Sequence, residues 1–195
     1  MYIFNNWDVI KMKLNLGSGN KLLSGYINVD IENHKQQAQK EGKHFIQFDL
    51  EKPFPITDNI ITEIRCTHVI EHLFNLSQFI DELYRISYDG CKIFITVPHF
   101  TSPDFEFHIR KCRYDLLKDY CKIGEKYTSG KYYVNSYLQK SYFKNVKRTL
   151  KFDSVYSFGN VLNKNPKWCR WYETTFLRNI FFCKEIILEC EISKT

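Results

Sequence analysis

The sequence predicts an α/β fold, a mostly parallel sheet that ends in an antiparallel pair of strands. Three observations predict it. Short apolar, β-prone runs alternate with turn signals through the first half, and a glycine pair follows the first run directly. Two longer strand candidates, 143–152 and 181–192, come late in the chain. At 195 residues the chain suits a single domain with a substantial core.

Lys13–Leu16 is the first strand and runs into Gly17-Ser18-Gly19-Asn20. Tyr26–Ile31 is the second and carries Asp30 near its end. His44–Phe48 is the third, followed by Asp49-Leu50 and then by Pro53-Phe54-Pro55, which forbids regular pairing. Ile60–Thr67 is the fourth. Residues 75–87 read as a helix, because Leu76, Phe79, Ile80, Leu83 and Ile86 form one stripe and Asn75 with Gln78 resembles a capping box. Asp89-Gly90 marks a turn, and Cys91–Val97 is short and apolar enough to be covered on both faces. Residues 114–122 predict one further helix. The connection 154–180 is too long for a hairpin turn and is expected to fold over something.

The formal net charge of +6 belongs to one segment. Residues 110–151 carry 12 basic side chains against 3 acidic and hold seven of the 13 tyrosines, whereas 1–109 carry 10 against 14. Such a stretch suits a lysine-studded strand edge first, an acidic small substrate second, and a single-stranded nucleic acid third. Seven cysteines, an odd number without a CxxC pair, argue against a disulfide framework and a structural zinc site, so a reducing, cytoplasmic setting is expected. No apolar run approaches the roughly 20 residues of a membrane span, so no membrane partner is expected. The oligomeric state leaves no mark on the sequence.

Gly17-x-Gly19 after a strand lets the chain turn sharply and lets a ligand approach the backbone. Asp30, at the end of the next strand, can accept both hydrogen bonds of a ribose diol, and Asp49 stands likewise after the third. These positions fall at the carboxyl ends of successive strands, where open α/β sheets bind ligands.

KLNLGSGN (13–20), GYINVDIE (25–32), FDLEKPFP (48–55), IRCTHVIEHL (64–73) and DGCKIFITVPH (89–99) resemble, in this order, the motifs of class I S-adenosylmethionine (SAM)-dependent methyltransferases of the small type 11-like branch. The resemblance implies a Rossmann-like seven-stranded methyltransferase sheet with SAM as cofactor. It implies methyl transfer to an oxygen, or secondarily a nitrogen, of a small polar acceptor such as a sugar or glycan precursor. The implied cofactor set is Asn15, Gly17, Ser18, Gly19, Asp30, Ile31, Asp49, Leu50, Thr67 and His68. Within it, Gly17 and Gly19 would lie under the methionine and ribose portions, and Asp30 would bind the ribose hydroxyls. Asp49 would meet the adenine amino group with Leu50 on the ring, and Thr67 and His68 would sit beside the sulfonium. Only ten residues separate Gly19 from Asp30, fewer than the roughly 20 of a nicotinamide dehydrogenase.

His108, His99 and His68 are the candidate catalytic residues, since a neutral imidazole can relieve a hydroxyl acceptor of its proton. His108 resembles a histidine that follows the fifth strand in related small methyltransferases. HxxEH (68–72) resembles the ExxEH that, in small-RNA 2′-O-methyltransferases and some quinone O-methyltransferases, contributes to a divalent-metal site with a later His. Here His68 replaces the first Glu, and the i, i+3, i+4 spacing of His68, Glu71 and His72 would still group these side chains on one helical face. The family resemblance instead gives Glu71 and His72 the task of positioning the next helix, and no resident metal is expected. Residues 1–11 are expected to be a dispensable extension of a single methyltransferase domain, 12–195. Cap segments of about 99–142 and 154–180, the latter with Trp168, Trp171, Tyr172 and Glu173, would close over the acceptor. Two other readings are an RNA methyltransferase using 110–151 and a non-catalytic SAM-binding protein.

Overall fold

The computed structural model describes residues 12–103, 108–121, 142–153 and 158–194. The expected extension, 1–11, lies outside the described residues, as do parts of both cap segments and the middle of the basic stretch. Seven strands form one sheet: β1 (Met12–Leu16), β2 (Ile27–Asp30), β3 (His44–Gln47), β4 (Ile61–Thr67), β5 (Ser87–Pro98), β6 (Phe143–Phe152) and β7 (Cys183–Ile192). Their order is β3-β2-β1-β4-β5-β7-β6. The first five pair in parallel, and β7 runs antiparallel to both β5 and β6. The expected mostly parallel sheet with its antiparallel terminal pair is therefore present. The chain turns one way from β1 to β2 and β3, then returns to β4 on the other side. The crevice between the carboxyl ends of β1 and β4 is the topological switch point, where such sheets take ligands.

Helix α1 (Lys35–Lys40) lies between β2 and β3, and α2 (Leu76–Ile86) between β4 and β5. Phe79, Ile80, Leu83 and Ile86 of α2 share one core with Leu14, Leu16, Ile64, Cys66, Ile93, Ile95 and Leu188. Asn75 caps α2 by accepting the Gln78 amide at 3.1 Å. The reciprocal bond of a capping box comes from elsewhere: Glu51 accepts the backbone amides of Phe74 at 2.6 Å and Asn75 at 3.2 Å.

Three expectations are corrected. β5 is not covered equally on both faces, because burial alternates along it: Lys92 is exposed, and Phe94 and Thr96 are only half-buried. On that outer face the Arg65 guanidinium lies 4.7 Å from the Phe94 ring and donates to the Tyr26 hydroxyl at 2.8 Å, and Lys13 pairs with Glu63 at 3.3 Å. Asp89-Gly90 does not precede the strand but lies in it, where the register with β4 slips between Ile61 and Glu63. Residues 114–121 form no α-helix. Leu117 takes a left-handed conformation (φ 58°), which breaks the helical path, and only a 3₁₀ turn, Lys118–Tyr120, follows. The connection after β6 folds into α3 (Phe158–Leu162), α4 (Pro166–Thr174) and a 3₁₀ turn.

Candidate active site

Gly17 ends β1 with φ +63°, and a Cβ there would fall 2.1 Å from Val69 Cγ2. The first glycine of the pair is thus required by packing across the switch point. Gly19 differs: at φ +48° its Cβ position meets nothing within 4 Å. It opens a cradle that a ligand can enter. Asp30 pins this turn, accepting the Gly19 amide on Oδ2 at 2.7 Å and the Glu32 amide on Oδ1 at 3.0 Å. Each oxygen keeps a further lone pair for a ligand hydroxyl.

The short connection from Gly19 to β2 is held by a buried amide network. Asn15 donates to Asn28 Oδ1 at 2.9 Å and to the Lys21 carbonyl at 3.1 Å. Asn28, fully buried, accepts the Leu23 amide at 2.7 Å and donates to the His44 carbonyl at 2.9 Å. The Asn15 side-chain amide thus holds the loop. Asn28 was not a sequence candidate, although a polar residue inside an apolar strand was the available signal. Ser18 is buried and donates its amide to the Val29 carbonyl.

Past β2 and β3, Ile31 is 62% exposed, whereas Leu50 is 8% exposed and belongs to the core. Ile31 is the available apolar surface for a ring. Asp49 accepts the Glu51 amide at 2.9 Å and stays partly exposed.

Beyond β4, Thr67 is exposed and His68 turns into the left-handed region (φ +56°), its amide held by the Thr96 carbonyl. His68 lies between two carboxylates, with Nδ1 3.4 Å from Glu71 and Nε2 3.1 Å from Glu185. Glu71 foremost, and then Glu185, raise its pKa against the opposing effect of partial burial. Glu185, at the start of β7, also takes Lys151 at 2.7 Å, and no sequence motif signalled it. Residues 68–73 form turns rather than a helix, so His68, Glu71 and His72 do not share a helical face. His108 instead comes to His72, with ring centroids 5.0 Å apart.

His99 is held inside the fold, at the end of β5. It is fully buried, with Nε2 2.9 Å from Glu173 and Nδ1 2.8 Å from the Thr101 hydroxyl. Glu173 also accepts the Tyr114 amide at 2.6 Å, so this pair ties the end of β5 to α4. Tyr172 is likewise buried in the core, whereas Trp168 and Trp171 are exposed.

A glycine turn, a carboxylate with free lone pairs and an exposed apolar side chain thus stand together at the switch point of this sheet, the edge at which open α/β sheets take ligands. Residues 15–95 match the methyltransferase domain family. The fold is similar to that of a SAM-dependent methyltransferase from Archaeoglobus fulgidus (TM-score 0.57, 17% identity, 93% of this chain and 86% of that one). It is also similar to a possible histamine N-methyltransferase from Thermotoga maritima (TM-score 0.56, 14% identity, 92% and 81%). A third similar structure is the YcgJ protein of Bacillus subtilis (TM-score 0.51, 13% identity, 95% and 92%). At these identities the structures establish the fold. No curated protein sequence matches the chain. The match to the methyltransferase domain family covers residues 15–95, the whole sheet has the fold of SAM-dependent methyltransferases, and the two together imply SAM as the cofactor. No helix among the described residues is long and apolar enough to cross a membrane.

Proposed function

We propose that this methyltransferase acts on an oxygen of a small polar acceptor, with a sugar or glycan precursor as the favoured class. Bound SAM supplies a methyl group on a sulfonium, and alignment of acceptor and methyl accounts for much of the rate. Gly19, Asp30, Ile31 and Asp49 are the residues assigned to hold the donor, with Thr67 and His68 beside the reacting end. The observation that carries the acceptor reading is the set of imidazoles, His68, His72 and His108, around Glu71 and Glu185 beyond the carboxyl end of β4. That wall is polar and rich in proton acceptors, which suits a hydroxyl-bearing acceptor.

The basic stretch lends the RNA reading little support among the described residues. Arg110 donates to the Ile70 and Leu73 carbonyls and Arg148 to the Leu116 carbonyl, while Lys144, Lys147 and Lys151 pair with Asp89, Glu189 and Glu185. These cations are engaged within the fold. Incubation with radiolabelled-methyl SAM against metabolite pools and total RNA tests the proposal. Label in small hydroxyl compounds as an ether is the expected result. Label confined to RNA, or to amines, would overturn it.

A further inference from the structure

We propose that the outward face of the connection between β6 and β7, from α3 through α4 to the 3₁₀ turn Phe176–Asn179, docks on an anionic lipid bilayer. Six of the ten large hydrophobic side chains exposed among the described residues lie in this one stretch: Val161, Trp168, Trp171, Phe176, Ile180 and Phe182. Helix α4 turns Cys169, Tyr172 and Glu173 into the fold, so the side left to solvent should be polar. It carries Trp168 and Trp171 instead, three positions apart and 45% and 52% exposed. The stretch is one layer. The Phe158 ring of α3 packs on Tyr172 of α4 at 6.1 Å and on Phe181 at 4.9 Å, and the Tyr172 hydroxyl donates to the Phe181 carbonyl. A contiguous apolar patch held this firmly marks a surface that meets a partner.

Charge selects the occupant. Residues 158–184 carry five basic side chains, Lys164, Lys167, Arg170, Arg178 and Lys184, and one acidic, Glu173, which is buried against His99. Arg170 is paired with Asp115 and Lys184 with Asp153, whereas Lys164 and Lys167 are exposed and have no ion-pair partner among the described residues. Indole rings beside ammonium groups suit the headgroup layer, the rings at the apolar boundary and the cations among phosphates. A second copy seated face to face would set these cations against their like, with no exposed carboxylate to meet them. A single-stranded nucleic acid would use the indoles for stacking but give aliphatic Val161 and Ile180 no role. The lack of a spanning run excludes crossing a bilayer, not lying on one.

The patch borders the candidate site. Glu173 of α4 meets His99 at 2.9 Å, and the Thr101 hydroxyl accepts the Cys183 amide at 3.0 Å, so this layer is fastened to the carboxyl edge of the parallel strands. Phe182 stands three residues before Glu185, whose carboxylate pairs with His68. A bilayer under the patch would therefore lie beside the reacting end, where an acceptor carried on a lipid would meet the donor. That consequence rests on the proposed acceptor reading, whereas the docking does not.

The test sediments the whole chain with vesicles of phosphatidylcholine and phosphatidylglycerol in equal parts, and with vesicles of phosphatidylcholine alone. Binding to the anionic vesicles is expected to exceed binding to the neutral ones and to weaken as salt is added. Trp168→Ala with Trp171→Ala, and separately Lys164→Glu with Lys167→Glu, should each weaken it roughly tenfold or more. Two controls should bind as the parent does: Phe74→Ala, which removes an exposed aromatic outside the patch, and Lys40→Glu with Lys92→Glu, which changes net charge equally on other surfaces. All these side chains are exposed, and circular dichroism checks that each variant folds. The proposal is overturned if the parent ignores anionic vesicles, or if both patch variants bind them as tightly as the controls. It is equally overturned if the patch variants abolish self-association or single-stranded RNA binding in a parent that does not sediment with vesicles. Vesicle binding with methyl label only in water-soluble products would uphold the docking and discard only the lipid-carried acceptor.

Discussion

The two glycines of the turn after β1 should fail in different ways when each is replaced by alanine. At position 17 the new methyl would stand 2.1 Å from Val69 Cγ2 on a backbone at φ +63°. Holding an L-residue in the left-handed region costs about 1 kcal/mol. The collision adds about 1–3 kcal/mol, because Val69 is β-branched, has few rotamers to retreat into and packs against the core. The sum, about 2–4 kcal/mol, is a large part of a typical domain's stability and corresponds to a fall in Tm of roughly 4–16 °C at this size. At position 19 nothing lies within 4 Å of the new methyl, so only the conformational cost of about 1 kcal/mol applies. Its methyl would instead project into the cradle assigned to the donor, and SAM affinity should drop. Urea unfolding and titration calorimetry on both variants separate the two effects, and Gly17→Ala combined with Val69→Ala should recover part of the lost stability. A Gly17→Ala protein within about 0.5 kcal/mol of the parent, beside a Gly19→Ala protein that binds SAM normally, would refute this division of roles.

Three further outcomes follow from other contacts. His99→Ala strips the partner from buried Glu173 and should cost about 3–5 kcal/mol in urea unfolding while leaving SAM affinity unchanged; an affinity loss without destabilisation would return His99 to the site. Arg85 holds the Glu82 carboxyl below its usual 4.5. The pair's contribution is complete above that value and fades as pH falls through the lower folded pKa, so the stability gap between the parent and Glu82→Gln should be flat near neutrality and narrow in acid. All seven cysteines are buried, and burial pushes Cys91 and Cys169 to about 11 and Cys112 to about 12. A thiol reagent at neutral pH should therefore react only as the chain unfolds; a fast native phase would contradict this burial.

Most of the fold was legible because its elements are local. The strand cores, the stripe of α2 and the Asn75 cap each rest on periodicity or on one short-range bond. The false helix at 114–122 had suitable composition, but the left-handed turn at Leu117 and the bond from Tyr114 to Glu173 in α4 override it. β5 looked buried on both faces because Phe94 is apolar, yet that ring covers a guanidinium on an outer face. In the site, Gly19 and Asp30 were visible from their place after strands. Asn28 and Glu185 were not, because their roles depend on which strands lie side by side. The histidines show the same limit: spacing grouped His68 with Glu71 and His72, whereas a turn in place of a helix and a backbone clamp bring in His108 from the far side of β5.

The central claim is that the rim formed after β1, β2 and β3 grips SAM through Asp30. Titration calorimetry with SAM and S-adenosylhomocysteine, on the parent chain and on Asp30→Ala, tests it most directly. The parent should bind both, and the variant should lose at least about 1–3 kcal/mol of affinity with its charged hydrogen bonds. A parent chain that binds neither compound, or a variant that binds as tightly as the parent, would contradict it.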